Sequence, residues 1–338
     1  MKNNPGIRRR SGTVGSGGAA VLAAILLLGT ICPASSTCAV GGYSRARYVL
    51  PEDTLKKGVS FAQVKIPLHR SDVAERVVEQ INYLLMDRRA GMLQWFDRMA
   101  MYGPLIRKIL RDEKVPEDMI YLAALLSGLT PNAKGRSGGV GWWLIGSVKE
   151  KKSPRLIQWV ATNDWDDRRD PVLSTRIACT IFQWLHGRPA TRNWLLTVCA
   201  FVDGTDKVDA VIKKSPVFSY WDMVMPTGSE TIIARLVALK LIDTHREFYG
   251  VNIKTPGPLT YDFLDRLKLR KDLPLYVVAR WCGTNPRSLW ELNPGVAPSA
   301  GVLPRPDKRS PSGFPLRVPR GMGRNVKKLL VKEGYLAG

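Results

Sequence analysis

Residues 121–133 read YLAALLSGLTPNA, and this stretch decides the fold because an apolar helical pattern ends in it and a loop begins. After Pro116, apolar residues recur at helical spacing, at Met119, Ile120, Ala123 and Leu126. Residues 131–141 are rich in glycine and polar residues, which is typical of a loop. The sequence therefore predicts an apolar helix that leads into a glycine-rich turn.

Helical periodicity continues on both sides of this stretch. Ser71 is expected to cap one amphipathic helix, and Pro104 is expected to start another. Further helical patterns follow up to Tyr249, over residues 173–185, 194–201 and 230–249. These patterns predict one all-α domain over residues 67–250, preceded by a linker over residues 40–66.

A different pattern follows the punctuation Pro256-Gly257-Pro258. It predicts a strand, two short helices and a second strand, over residues 259–267, 275–281, 286–292 and 314–318. The expected fold class is therefore mainly α, with the helical domain followed by a small α+β domain of order βααβ over residues 258–320. A basic segment over residues 321–338 closes the chain.

Composition and charge suggest where the protein works. The 338 residues include 51 Lys and Arg against 29 Asp and Glu, a formal net charge of +22, and 45% are hydrophobic. This excludes a disordered chain and indicates a polyanionic partner. Four cations, an uncharged apolar run over residues 19–31 and small residues up to Ala39 predict a signal peptide over residues 1–39, with an uncleaved anchor as the alternative. We expect export to the periplasm or cell envelope, an anionic envelope surface as a partner, and no nucleic acid.

Metal-binding and nucleophilic residues form no cluster in the sequence. The three histidines are far apart and have no ligand-spaced partners, so neither a metal nor a cofactor is expected. Beyond the predicted signal peptide the cysteines are odd in number: Cys179, Cys199 and Cys282. Buried free thiols are expected, and a Cys179–Cys199 bridge is the alternative.

The helical domain resembles the catalytic core of the lytic murein transglycosylases, most of all the membrane-bound murein transglycosylase D branch. Residues 121–133, with Gly138, Gly141 and Trp142-Trp143, are similar to its Y-L-A-L-x-E-S-G-F-x-P-x-A and G-x-x-G-L-W-Q motifs. Its D-x-R-x-D-P, A-Y-N-A-G and E-T-R motifs have counterparts in the same order, in WDDRRDP (165–171), AFVDG (200–204) and Glu230-Thr231. The resemblance implies a lysozyme-like helical domain that recognises peptidoglycan.

The C-terminal part resembles the LysM-like tail of the same branch. Residues 288–294 (SLWELNP) and 314–319 (FPLRVP) are similar to its L-x-x-L-N-P signature and its closing strand. This resemblance implies a shallow glycan groove near residues 271–275 and 293–297.

The family's reaction depends on the glutamate of E-S-G, and Leu126 occupies that position. The glutamate protonates the glycosidic oxygen and then accepts the proton of the muramyl 6-hydroxyl, and leucine can do neither. Five further polar motif positions hold apolar residues: Leu144 for Gln, Phe201 for Tyr, Val202 for Asn, Ile232 for Arg and Ala234 for Tyr. Asp203 is the only carboxylate introduced within a cleft motif, so it is the candidate for a displaced acid, although a solvated loop role is the simpler interpretation.

The resulting hypothesis is an exported pseudoenzyme that binds peptidoglycan glycan strands or an envelope partner and has no catalytic residue. Its cleft or glycan contacts are expected at Ser127, Trp143, Leu144, Phe201, Glu230 and Asn293. Two alternatives remain open: an active transglycosylase that cleaves the MurNAc-GlcNAc bond with a displaced carboxylate, and an envelope scaffold whose apolar cleft binds a polypeptide.

Overall fold

The computed structural model describes residues 48–146, 159–214, 219–226, 229, 231–253 and 257–336, all within the compact unit Ala46–Gly338. The predicted signal peptide over residues 1–39 and Glu230 lie outside the described residues. Within the described ranges, no helix is both long and apolar enough to cross a bilayer.

Within the residues that the structure describes, eight α-helices and one hairpin build the first part of this unit. In chain order they are α1 Glu52–Lys57, β1 Val59–Phe61, β2 Val64–Ile66, α2 Ser71–Asn82, α3 Arg89–Asp112, α4 Met119–Ser127, α5 Pro171–His186, α6 Trp194–Asp203, α7 Thr205–Lys214 and α8 Ile232–Thr244. Most residues of α8 are buried because it is apolar on nearly every side, and α2, α4, α6 and β1 pack around it. This arrangement places the end of α4 at the edge of an all-helical core.

The segment that the sequence assigned to a linker is partly structured. Residues 52–66 form α1 and the β1–β2 hairpin, and Phe61 is fully buried in the helical core. The hairpin turns through Ala62 and Gln63, both with positive φ (48° and 66°). Such turns usually carry Asn or Gly, so the sequence lacks the usual hairpin signal at this point.

Two predicted helix starts differ from the observed ones. Ser71 is the first residue inside α2, and the side chain of the preceding Arg70 makes no capping hydrogen bond. Pro104 lies in the interior of α3, which runs through it as one helix of 24 residues. A proline removes only one helical N–H donor, and the packing of α3 against α4 and α5 maintains the helix on both sides of it.

The C-terminal domain has the predicted strand–helix–helix–strand order. Strand β3 Tyr261–Leu267 pairs antiparallel with β6 Phe314–Pro319. Helices α9 Leu275–Trp281 and α10 Pro286–Leu292 lie between them in the chain, together with the two-residue strands β4 Leu273–Pro274 and β5 Val302–Leu303, which sequence analysis did not predict. The final helix, α11 Gly323–Lys332, buries Val326 and Leu330 in the same core, so the predicted basic C-terminal segment is part of this domain.

A fully buried tryptophan in the helical part belongs to the core of the C-terminal domain. The ring centroid of Trp165 lies 5.0 Å from that of Phe314 on β6. The next residue, Asp166, donates its backbone N–H to the carbonyl oxygen of Gly295 over 2.8 Å. The two parts therefore share a core and a backbone hydrogen bond.

A buried ion pair links the same two parts. The guanidinium of Arg317 on β6 donates to both carboxylate oxygens of Asp170, and both side chains are almost completely excluded from solvent. Asp170 also caps α5, because it accepts hydrogen bonds from the backbone N–H groups of Val172 and Leu173. Helix α5 is thus fixed to the C-terminal sheet at its first turn.

Candidate functional site

The last turn of α4 carries the position where the resemblance places a catalytic acid. Leu126 is half-buried there, and its side chain packs at the edge of the helical core. Gly128 ends the helix in the left-handed conformation, with φ of 62°. The last turn of α4 thus carries a half-buried hydrocarbon side chain at the position where the resemblance places the acid.

Ser127 fixes the loop that follows this helix. Its hydroxyl donates to the carbonyl oxygen of Trp142 over 2.6 Å and accepts from the backbone N–H of Leu129. Arg98 on α3 supports the same turn, because its guanidinium donates to the carbonyl oxygen of Gly128 over 2.7 Å. The predicted glycan contact Ser127 thus uses its hydroxyl to hold the loop in place.

A glycine in this loop permits a close approach to another element. Gly141 has φ of 80°, and an added Cβ would lie only 1.7 Å from the carbonyl oxygen of Arg168. The neighbouring Trp142 is fully buried and donates its Nε1–H to the carbonyl oxygen of Arg169. The loop is consequently held between α4 and the 3-10 turn Asp167–Arg169.

Trp143 does not line a cleft, contrary to the prediction. Its side chain is fully buried, and its Nε1–H donates to the hydroxyl of Thr175 over 3.1 Å. The ring lies edge-on to Phe182, which stacks on Phe201 with centroids 4.6 Å apart. Trp143 and Phe182 are buried and Phe201 is half-exposed, so Phe201 is the one of these three rings that a ligand could reach.

Leu144 takes the position of the family's glutamine in an unusual backbone conformation. Its φ is 47°, in the region that β-carbon-bearing residues rarely adopt. Its Cδ1 lies 3.3 Å from the point that a Cβ on Gly135 would occupy, and the side chain is half-buried. The loop thus places a second apolar side chain where the family has a hydrogen-bonding group.

The candidate displaced acids are engaged elsewhere. Asp203, the last residue of α6, is half-buried and accepts a hydrogen bond from the hydroxyl of Ser229, so it is not a solvated loop residue. Asp118, the carboxylate directly before α4, accepts hydrogen bonds from the backbone N–H of Ala62 and from Lys240. It precedes Leu126 by eight residues, which is about 12 Å along a helix axis.

Asn293 is not part of a surface groove, which corrects a second predicted contact. The side chain is fully buried, its amide donates to the carbonyl oxygens of Leu289 and Arg317, and its oxygen accepts from the backbone N–H of Arg317. Every polar atom of this amide is used to join the end of α10 to β6.

An open apolar cavity lies on the same domain. It has a volume of about 510 Å³ and is formed by the first residues of α9 and α10 and by residues 298–302. Tyr276 is 61% exposed at this cavity, and Trp290 is half-buried in its wall with its Nε1–H donated to the carbonyl oxygen of Val296. The faces of the Tyr276 and Trp290 rings are accessible to a ligand at this cavity, whereas the indole N–H of Trp290 is already hydrogen-bonded inside the domain.

Burial raises the pKa of a carboxyl group and of two thiols among the described residues. Burial raises the pKa of Asp167, whose carboxylate accepts hydrogen bonds from the Trp165 indole and the Val160 backbone. Burial also raises the pKa of Cys179 and of Cys199 to about 12, and both are free thiols in the structure, as is Cys282. Among the described residues, no group of three or more potential ligands could hold a metal ion.

Comparison with known families agrees with this architecture. Residues 104–224 match the model of the Transglycosylase SLT domain. The SLT domain is a lysozyme-like helical domain, so the predicted fold class is confirmed, and the match connects the chain with lytic transglycosylase-like, peptidoglycan-related functions. The matched stretch includes α4, the loop after it, and α5 to α7. No curated protein matches the chain.

Several site residues were not predicted from the sequence. Arg98 lies 30 residues before the turn that it holds, and only the packing of α3 against α4 brings the two together. In the sequence, Tyr276 looks like any other residue of a short apolar helix, so nothing there indicates that its ring is exposed. An arginine within the apolar run of β6 was the one available indication of the Arg317 ion pair.

Proposed function

We propose that this protein binds peptidoglycan glycan strands in the cell envelope and does not cleave them. The observation that carries the proposal is Leu126 in the last turn of α4, with the surrounding turn and loop fully formed. A general acid or base contributes about 10²–10⁴-fold to such a reaction, and the two carboxylates considered as replacements, Asp203 and Asp118, both accept hydrogen bonds within the fold.

The loss of chemistry extends to the neighbouring polar positions. Leu144 and Phe201 are half-buried apolar residues where the family has Gln and Tyr. Asp203 is bound to Ser229, so using it as an acid would first require breaking that contact. The turn and loop of the SLT domain are formed, and apolar side chains occupy Leu126, Leu144 and Phe201, where the resemblance places polar groups.

The C-terminal cavity supplies a surface suited to glycan. Its volume of about 510 Å³ is in the range of small-molecule sites, and Tyr276 and Trp290 offer flat faces on which the C–H face of a sugar ring can stack. We assign the LysM-like glycan groove to this cavity rather than to the surroundings of Asn293.

Binding to purified sacculi tests this proposal. The chain of residues 40–338, which retains the whole compact unit, is incubated with sacculi and pelleted. We expect wild type in the pellet and a roughly 5- to 150-fold weaker association for Tyr276→Ala, because a central aromatic contact contributes roughly 1–3 kcal/mol. Phe248→Ala is the matched control, since Phe248 is 55% exposed on the helical part.

Two results would contradict the proposal. Equal retention of wild type, Tyr276→Ala and Phe248→Ala would show that the cavity does not bind glycan. Release of anhydromuropeptides by the wild-type chain would show that the domain is an active enzyme.

A further inference from the structure

Helix α11 has four cations on its outer side. Residues 323–332 read GRNVKKLLVK and contain no acid, and the cations at Arg324, Lys327, Lys328 and Lys332 are all exposed. At 100° per residue they fall within an arc of about 140°, opposite the buried face of the helix. All the charged residues on the outer face of α11 are therefore basic.

The structure does not neutralise this charge. Among the described residues, the ion pairs do not include any of these four side chains. Arg320 precedes the helix and is exposed, and Lys271 lies at its other end with Nζ 4.3 Å from the centroid of the Tyr335 ring. Cations therefore lie close to both ends of α11, and one exposed acid, Glu333, directly follows its last residue.

The shape of the face favours a flat partner. The four cations extend over about 12 Å of helix length and over a wide arc. A planar array of anionic groups can contact all four of them, whereas a single extended polyanionic chain can contact only those that lie along one line. Val331 lies in the middle of the face and is 40% exposed. A bilayer surface accommodates both an isolated apolar side chain and the surrounding cations.

We infer that the outer face of α11, defined by Arg324, Lys327, Lys328, Val331 and Lys332, docks on an anionic lipid bilayer. Each basic residue near such a surface contributes about 1 kcal/mol, which corresponds to roughly fivefold in the partition coefficient. Val326 and Leu330 remain in the domain core, so the contact is electrostatic and needs no unfolding of the helix. This inference is independent of the glycan-binding proposal.

Vesicle sedimentation tests the inference. The chain of residues 40–338 is mixed with phosphatidylcholine vesicles that contain or lack phosphatidylglycerol. We expect binding only to the anionic vesicles, and Lys327→Gln/Lys328→Gln should lower the partition coefficient about 30-fold at low salt. Lys213→Gln/Lys214→Gln, on the exposed end of α7, removes the same charge elsewhere and should lower it far less.

The outcomes that overturn the inference are separable from failure of the glycan proposal. Equal binding to neutral and anionic vesicles, or equal losses in the two double variants, would show that α11 is not the docking face. If Lys327→Gln/Lys328→Gln lost its binding to lipid-free sacculi and not to vesicles, the basic face would bind a wall polymer instead. Tyr276→Ala, assayed on sacculi without lipid, reports on the glycan site alone.

Discussion

Replacing Arg317 with methionine should weaken the whole chain, because it leaves the Asp170 carboxylate buried without its cation. The guanidinium makes two hydrogen bonds to that carboxylate and lies 5.5 Å from the ring centroid of Tyr261 and 5.4 Å from that of Phe263. Removal of one partner from a buried ion pair costs about 3–5 kcal/mol. This is a large part of the roughly 5–15 kcal/mol that stabilises an ordinary domain.

A double-mutant cycle isolates the pair from other effects. Asp170→Asn removes the charge and keeps an oxygen that can cap α5, so we expect a cost close to that of Arg317→Met. The double variant has no unpaired buried charge and should be less destabilised than the sum of the single variants, by on the order of 2–3 kcal/mol.

Urea unfolding of the chain of residues 40–338 measures these values, with circular dichroism and tryptophan fluorescence as separate probes. Eight of the ten tryptophans precede residue 258, and Trp281 and Trp290 lie in the C-terminal domain, so the fluorescence transition reports on both parts of the chain. Strictly additive costs, or a cost below about 1 kcal/mol for Arg317→Met, would refute the inference that this pair joins the two parts.

Three further predictions concern the loop, the thiols and a histidine. Gly141→Ala should lower the free energy of unfolding in urea by roughly 3 kcal/mol or more, because its Cβ would clash with the carbonyl oxygen of Arg168. Gly138→Ala is the control: its φ is also positive, at 82°, but no atom lies near its Cβ, so it should cost about 1–2 kcal/mol. Equal costs would contradict the clash. In the folded chain of residues 40–338, a thiol reagent should label Cys282 first, and the two buried thiols only after denaturation; rapid labelling of all three would contradict their burial. Burial, and then the charge of Arg192, lower the pKa of His186 below its ordinary 6.5, so the folded protein should lose stability as the pH falls through 6.5. His186→Phe should flatten the dependence of the free energy of unfolding on pH between pH 7 and 5. An unchanged slope would exclude His186 as the source of this dependence.

Elements with strong local signals were predictable from the sequence. The bounds of α9 and α10 agree with the prediction because Pro286 follows the capping residue Asn285 and because Gly283 separates the two helices. Signals were weak where context overrides propensity, as at Pro104 inside α3 and at the Ala62-Gln63 turn.

The site was predictable as a position but not as a set of contacts. Motif spacing located Leu126 at the end of a helix, where the structure has it. Periodicity could not show that Trp143 points into the core or that Asn293 ties α10 to β6, because both depend on partners distant in the chain. The Asp170–Arg317 pair spans 147 residues, and the arginine within the apolar run of β6 gave no indication of which carboxylate it would meet.

The most direct test of the central claim is mass spectrometry of the products that sacculi release with the wild-type chain and with Leu126→Glu. We predict no anhydromuropeptides from wild type, although it is retained on the sacculi, and any recovery of activity only in the Leu126→Glu variant. Anhydromuropeptides from the wild-type chain would contradict the account, because they would require an acid other than the residue at position 126.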